Sequence, residues 1–149
     1  MIQMKYKDLL HPHLTNVLGK IANTQMAPAK SYEVNKLMSA IRAAITQTKD
    51  ESAEILKNFV KYENGSFKRT VDADGAPTNE LEFIEPFSAE SPEYHAAMDK
   101  FENQDASINF RPWSLEMLGD VKLSAMEIDM LGNLLTDKPF LQAVEEKYN

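Results

Sequence analysis

Cysteine is absent from these 149 residues, which excludes disulfides, thiolate nucleophiles and cysteine-ligated zinc. The absence fits a reducing compartment. Glycine is scarce, and none of the five forms a phosphate-cradling loop or a Gly-x-Ser-x-Gly nucleophile elbow. Histidine occurs three times. His11-Pro12-His13 sets two imidazoles close together, but no third metal ligand lies nearby in sequence, so both are expected at a helix start facing water. His95, between Tyr94 and Ala96, is expected on a surface. No apolar run approaches the roughly 20 residues that a membrane helix needs. The opening MIQMKYKDLL lacks an apolar stretch long enough for a signal-peptide core. The expectation is a soluble chain with no membrane partner, used inside a cell or in something a cell assembles.

What is present is ordinary for a globular domain: 43% hydrophobic and 26% charged residues, enough length for one core and no low-complexity linker. The expected organisation is a single domain over residues 1–149, with a helical basic half (1–64) and an acidic half (65–149). Charge is uneven. Residues 1–62 hold nine Lys/Arg against five Asp/Glu, a net of +4, whereas residues 63–149 hold seven against eighteen, a net of −11. The acidic part opposes phosphate, so no direct nucleic-acid binding is expected. Such a surface either aids solubility or meets a partner protein with a basic surface.

Leu14, Val17, Leu18 and Ile21 follow the spacing of one buried helix face, and Pro12 suits its first turn, which predicts a helix over about 12–24. Ser31 is the expected N-cap of a second, long helix. From there Met38, Ile41, Ile45, Thr48, Ser52, Ile55, Phe59 and Tyr62 alternate steps of three and four, a heptad-like seam running to about residue 63. Such a helix spans on the order of 46 Å. The small polar rungs Thr48 and Ser52 favour packing by the chain's own helices, with a homo-oligomer through the long helix as the alternative. Asn64-Gly65 is the expected left-handed stop.

DADGAPT raises a calcium question. With Gly75 as the sixth loop residue, position 1 falls on Thr70 and position 12 on Leu81, and neither supplies the carboxylate oxygen required. The stretch is instead a turn between β-compatible Phe67–Val71 and Leu81–Ile84. Ser91-Pro92-Glu93 opens a short acidic helix with Tyr94, Ala97, Met98 and Phe101 on its apolar face. SINFRPW has strand character, confined to an edge or end by Pro112. Ser124–Glu127 is a capping box ahead of Ile128, Leu131, Leu134 and Leu135, and Asp137-Lys138-Pro139 begins a last helical turn or two.

The residues singled out for function are carboxylates, an arginine and the one tryptophan. Glu80, Glu82, Glu85, Glu90 and Glu93 form an acidic run in which Glu80 and Glu82 alternate with Leu81 and Phe83, as a solvent-facing strand side does. In Arg111-Pro112-Trp113, both Arg111 and Trp113 are of types enriched at binding hot spots, although a Trp at a strand end is commonly a core or rim residue. Together these seven residues are the candidate partner surface. No catalytic, cofactor-binding or metal-ligating set emerges. A cleft binding a nucleotide signal would require Lys30, Lys36 and Arg42 to converge on phosphates.

The order of LLHPHLTNVLGKIANTQMAPAKSYEVNKLM, ILKNFVKYENG, DADGAP, the Glu/Asp-rich helix and INFRPWSLEMLGDVKLSAMEIDMLGNLL resembles small, largely uncharacterised accessory proteins of tailed bacteriophages and prophages. The resemblance covers about 135 residues as an order of patterns. It implies an α+β fold and a phage origin, and it carries no catalytic residues across. The expected architecture is α+β: a long central helix packed by shorter helices, with the hairpin and SINF as a small antiparallel sheet. The expected function is non-catalytic protein binding without a cofactor, as a host-directed inhibitor or modulator in the host bacterial cytoplasm or as a minor virion or assembly component. A small-ligand binder or nucleotide sponge is the alternative.

Overall fold

In a computed structural model that describes residues 1–119 and 121–136, the fold is α+β. The chain divides into two units: Met1–Thr48 with the chain from Gln104 onward, and Lys49–Asn103. This differs from a division at residue 64. The reason is a long-range pairing that composition does not reveal. The first strand, β1 (Ile2–Lys5), pairs antiparallel with β6 (Asp105–Ile108), and Ile2 sits opposite Ile108. Ile2 and Met4 point into the core while Gln3 and Lys5 face solvent, the period of two expected of a half-buried strand. SINF therefore pairs with the chain's own start rather than with the hairpin.

A single helical turn, α1 (Tyr6–Leu9), follows β1 and leads to α2 (Pro12–Ala22). His11 is the N-cap of α2, with its Nδ1 accepting from the His13 backbone N–H at 3.2 Å, and Pro12 takes the position where its missing N–H costs nothing. Leu14, Val17, Leu18 and Ile21 are buried, as their spacing predicts. The long helix, α3 (Pro28–Leu56), begins three residues earlier than its expected cap. Pro28 supplies the start, and the Ser31 hydroxyl donates to the Met26 carbonyl.

The far end of α3 is a larger correction: it stops at Leu56, so Phe59 and Tyr62 leave the seam. From Phe59 on, sheet partners take over the backbone. The Phe59 carbonyl accepts from Ile84 N–H at 2.8 Å, and Lys61 N–H donates to the Glu82 carbonyl at 2.9 Å. Aromatic and β-branched residues in FVKY favour that conformation. Phe59 is buried here as well, so its apolar character fits a three-or-four spacing although the helix has ended. Met38, Ile41 and Thr48 of the seam are buried in the chain itself.

The core of the first unit gathers β1, α2, the first half of α3, β6 and the segment around Trp113 and Leu118. Leu131 and Leu134 close it. Ser124 caps α5 (Ala125–Leu131) with both hydrogen bonds of the box in place. Gly132, at φ +46°, ends α5, and β8 (Leu135–Thr136) pairs in parallel with β7 (Trp113–Ser114). The expected turns carrying Phe140, Leu141, Val144 and Tyr148 lie outside the described residues.

The capping box also joins α5 to α2, because Lys20 Nζ lies 3.0 Å from Glu127 Oε1. The backbone N–H of Ser124 donates to Glu127, and this bond, followed by that from Lys20, holds the Glu127 carboxyl below its ordinary value. A lowered folded value means that the contribution is fully present above the ordinary glutamate range, about 4.3, and is lost as pH falls through the folded value. Ser124→Ala is expected to cost about 1 kcal/mol at neutral pH. Glu127→Gln is expected to flatten the acid limb of stability against pH. Urea unfolding from pH 7 downward measures both.

The second unit holds the end of α3, two hairpins and α4 (Pro92–Glu102). In the first hairpin, β2 (Tyr62–Glu63) returns through Asn64-Gly65 into β3 (Ser66–Phe67). Asn64 at φ 52° and Gly65 at φ 80° make the two-residue turn that matches strand twist, so this pair is a hairpin turn and not a helix stop. The second hairpin joins β4 (Arg69–Val71) to β5 (Pro77–Leu81). The returning strand begins earlier than Leu81 and carries a register shift against β4. Phe59, Phe87, Tyr94 and Phe83 form its aromatic cluster, with ring centroids 4.9 to 5.6 Å apart.

Candidate functional site

The calcium question is answered by the turn itself. Asp72 Oδ1 accepts the backbone N–H groups of Asp74 and Ala76 at 2.9 and 3.0 Å, and Gly75 adopts φ 79°. The Asp72 oxygen closes an Asx turn. Among the described residues no three His, Cys, Asp or Glu side chains are placed to hold a metal ion.

The fold groups the charge differently from the linear division. Lys49–Asn103 contains six Lys/Arg and thirteen Asp/Glu, a net of −7, which equals the net charge of the whole chain. Three backbone hydrogen bonds fix where these carboxylates stand. Lys61 N–H donates to the Glu82 carbonyl, Glu82 N–H to that of Lys68, and Lys68 N–H to that of Lys61, each at 2.8 or 2.9 Å. This ring ties the two hairpins together at their bases. Above it Lys61 Nζ meets Glu82 Oε1 at 2.8 Å, and that hydrogen bond lowers the Glu82 carboxyl and raises the Lys61 ammonium. Lys68 pairs with Glu63 at 3.2 Å.

Of the five predicted acidic residues, Glu82 is thus half-buried and committed to Lys61. The other four are exposed, and among the described residues none has an ion-pair partner: Glu80 on β5, Glu85 and Glu90 in the loop before α4, and Glu93 in its first turn. The loop is held by Ser88 and Ser91, since Ser88 N–H donates to Ser91 Oγ at 2.7 Å and Glu90 N–H to Ser88 Oγ at 3.3 Å. Ser91 consequently makes no side-chain cap to α4.

Arg111 and Trp113 belong to the other unit. The Arg111 guanidinium donates to Glu33 Oε2 of α3 in a pair whose side chains are 14% and 10% exposed. Trp113 is 1% exposed, a core residue, and its Nε1–H has no hydrogen-bond partner among the described residues. Neither is available as a surface anchor in this arrangement. Burial depends on what packs over a segment, which the tripeptide does not encode.

The remaining candidates stay apart. His11 and His13, with ring centroids 5.1 Å apart, border a largely apolar cleft of about 440 Å³ between α2 and α5, along with Val17, Met126 and Met130. Lys30, Lys36 and Arg42 are spaced by six residues, about 240° round a helix, so they point to three sides of α3. Lys30 reaches the Glu116 carbonyl at 3.5 Å and Lys36 lies over the Tyr32 ring at 4.4 Å. They do not form a phosphate cradle.

One feature escaped the sequence reading. Phe67, Arg69, Val71, Pro77 and Leu81 line an open groove on the β4–β5 hairpin. Alternation along RTV and PTNEL gave no clear signal of it, because the register shifts between the strands and Asn79 interrupts the apolar residues of β5.

No described helix is long and apolar enough to cross a membrane. Comparison of the chain with protein-family models, curated proteins and solved structures gives no significant match.

Proposed function

We propose that this is a non-catalytic protein that acts by binding a partner protein with a basic surface, and that the acidic unit Lys49–Asn103 is the part that binds. The observation that carries the reading is the placement of the whole net charge of −7 in that unit, with Glu80, Glu85, Glu90 and Glu93 exposed and without ion-pair partners among the described residues. Fixed carboxylates on ordered backbone steer a cationic partner and repel phosphate. The sequence layout adds a phage origin, in which the protein is a host-directed inhibitor or modulator in the bacterial cytoplasm, or a minor virion or assembly component.

The test is an affinity pull-down from lysate of infected host cells, with purified virions analysed by mass spectrometry alongside. One basic host protein, captured by the wild type and depleted at least tenfold with Glu80, Glu85, Glu90 and Glu93 all changed to Gln, is the expected result for a modulator. Glu82 is left intact because it anchors Lys61. Abundant copies in virions without a host partner identify a structural component. A partner captured equally by the Gln variant contradicts the acidic unit as the binding part.

A further inference from the structure

The β4–β5 hairpin turns two unlike faces outward. Thr70 and Thr78 share one face, where their hydroxyls hydrogen-bond to each other. Arg69 lies opposite Leu81 and Val71 opposite Pro77 across the two strands, and all four border one groove. With Ser66 and Phe67 these residues line a groove of about 550 Å³. A strand face of Val, Pro and Leu beside a Phe ring is one that folding ordinarily covers. Here Val71 is 65% exposed, and Pro77 is exposed as well. The hairpin is nonetheless well ordered by its own bonds: the Asx turn at its tip, the Thr70–Thr78 pair and the backbone ring at its base.

We infer that this apolar face seats an apolar side chain of a basic protein segment, in which Lys or Arg residues flank that side chain. Charge decides the occupant. A second copy would bring another unit of net −7 against the first. Nucleic acid and anionic lipid are repelled by the same charge. A cationic segment is attracted by the charge of the unit, to which the exposed Asp72 and Asp74 of the turn between β4 and β5 contribute. Arg69, the single cation on the face, disfavours a basic residue directly over the groove, which leaves the apolar residue at the centre and the charges outside. The inference rests on the proposed binding of a basic protein and places its apolar anchor in the groove of the β4–β5 hairpin.

The test uses the full chain and fluorescein-labelled 12-residue peptides with a central Leu-x-Leu, flanked by Lys, and the same peptides flanked by Glu or with Ser in place of Leu. The Lys-flanked apolar peptide is expected to bind, to move the amide resonances of Phe67, Arg69, Val71 and Leu81, and to weaken as salt rises. Val71→Ser is expected to weaken it at least fivefold. Val71→Thr, which keeps strand propensity, is expected to weaken it as well, so a folding defect is separable from lost contact. Failure of every Lys-flanked peptide to bind, equal binding of Glu-flanked peptides, or unchanged affinity in both Val71 variants overturns the inference. A partner lost from the four-Gln variant but retained by Val71→Thr leaves the acidic-unit reading standing and removes this one alone.

Discussion

Arg111→Met is expected to destabilise the protein by about 3–5 kcal/mol, because it strands the Glu33 carboxylate in the core. Glu33 lies on α3 among buried Val34 and Leu37, and its side chain is 10% exposed. The pair itself adds little: desolvation of both ions offsets most of their attraction. Removing one partner is different in kind, since the remaining charge keeps its desolvation cost and loses its compensation. The paired substitution Glu33→Leu with Arg111→Met is therefore expected to lie near the wild type or above it. Urea unfolding of the wild type, Arg111→Met and the double variant gives the comparison. A double variant as unstable as the single would contradict the reading of a pair whose worth lies in mutual neutralisation.

Trp113→Ala is expected to cost about 3–5 kcal/mol, the range for emptying a large aromatic site. At 1% exposure the indole is among the largest fully buried side chains of the first unit. Trp113→Phe is expected to cost clearly less than Trp113→Ala, for a specific reason. Among the described residues the indole Nε1–H has no hydrogen-bond partner, so the smaller ring forfeits packing area but breaks no polar contact with them. Either loss is large against a total of about 5–15 kcal/mol for a folded domain. Chemical unfolding followed by far-ultraviolet circular dichroism reads both variants, and a Phe variant as damaged as the Ala variant would show that the indole N–H matters after all.

Elements written in a few adjacent residues were legible in the sequence. The Ser124 box, Pro12 and the face of α2, Ser91-Pro92 before α4, and the Asp72–Gly75 turn depend on local geometry, and each stands where the sequence put it. The end of α3 was misplaced because Phe59 meets a three-or-four spacing and is buried, although the helix ends at Leu56. Asn64-Gly65 permits either a helix stop or a two-residue hairpin, and only the partner strand Ser66–Phe67 distinguishes them. The pairing of Ile2 with Ile108 joins residues more than a hundred positions apart, and four residues of alternation gave too little warning of it. The same limit applies to the candidate site. That Glu82 is tied to Lys61 while Glu80 has no such partner, and that Arg111 is spent on Glu33, are tertiary facts.

The acidic unit is the centre of this account, and the most direct test is the affinity of the captured partner for the wild type and for the variant carrying Gln at positions 80, 85, 90 and 93. The account predicts at least tenfold weaker binding by the variant and a marked loss of wild-type affinity as salt is raised from low to physiological strength. Equal affinities and no salt dependence would contradict it, and the charge of Lys49–Asn103 would then serve solubility alone.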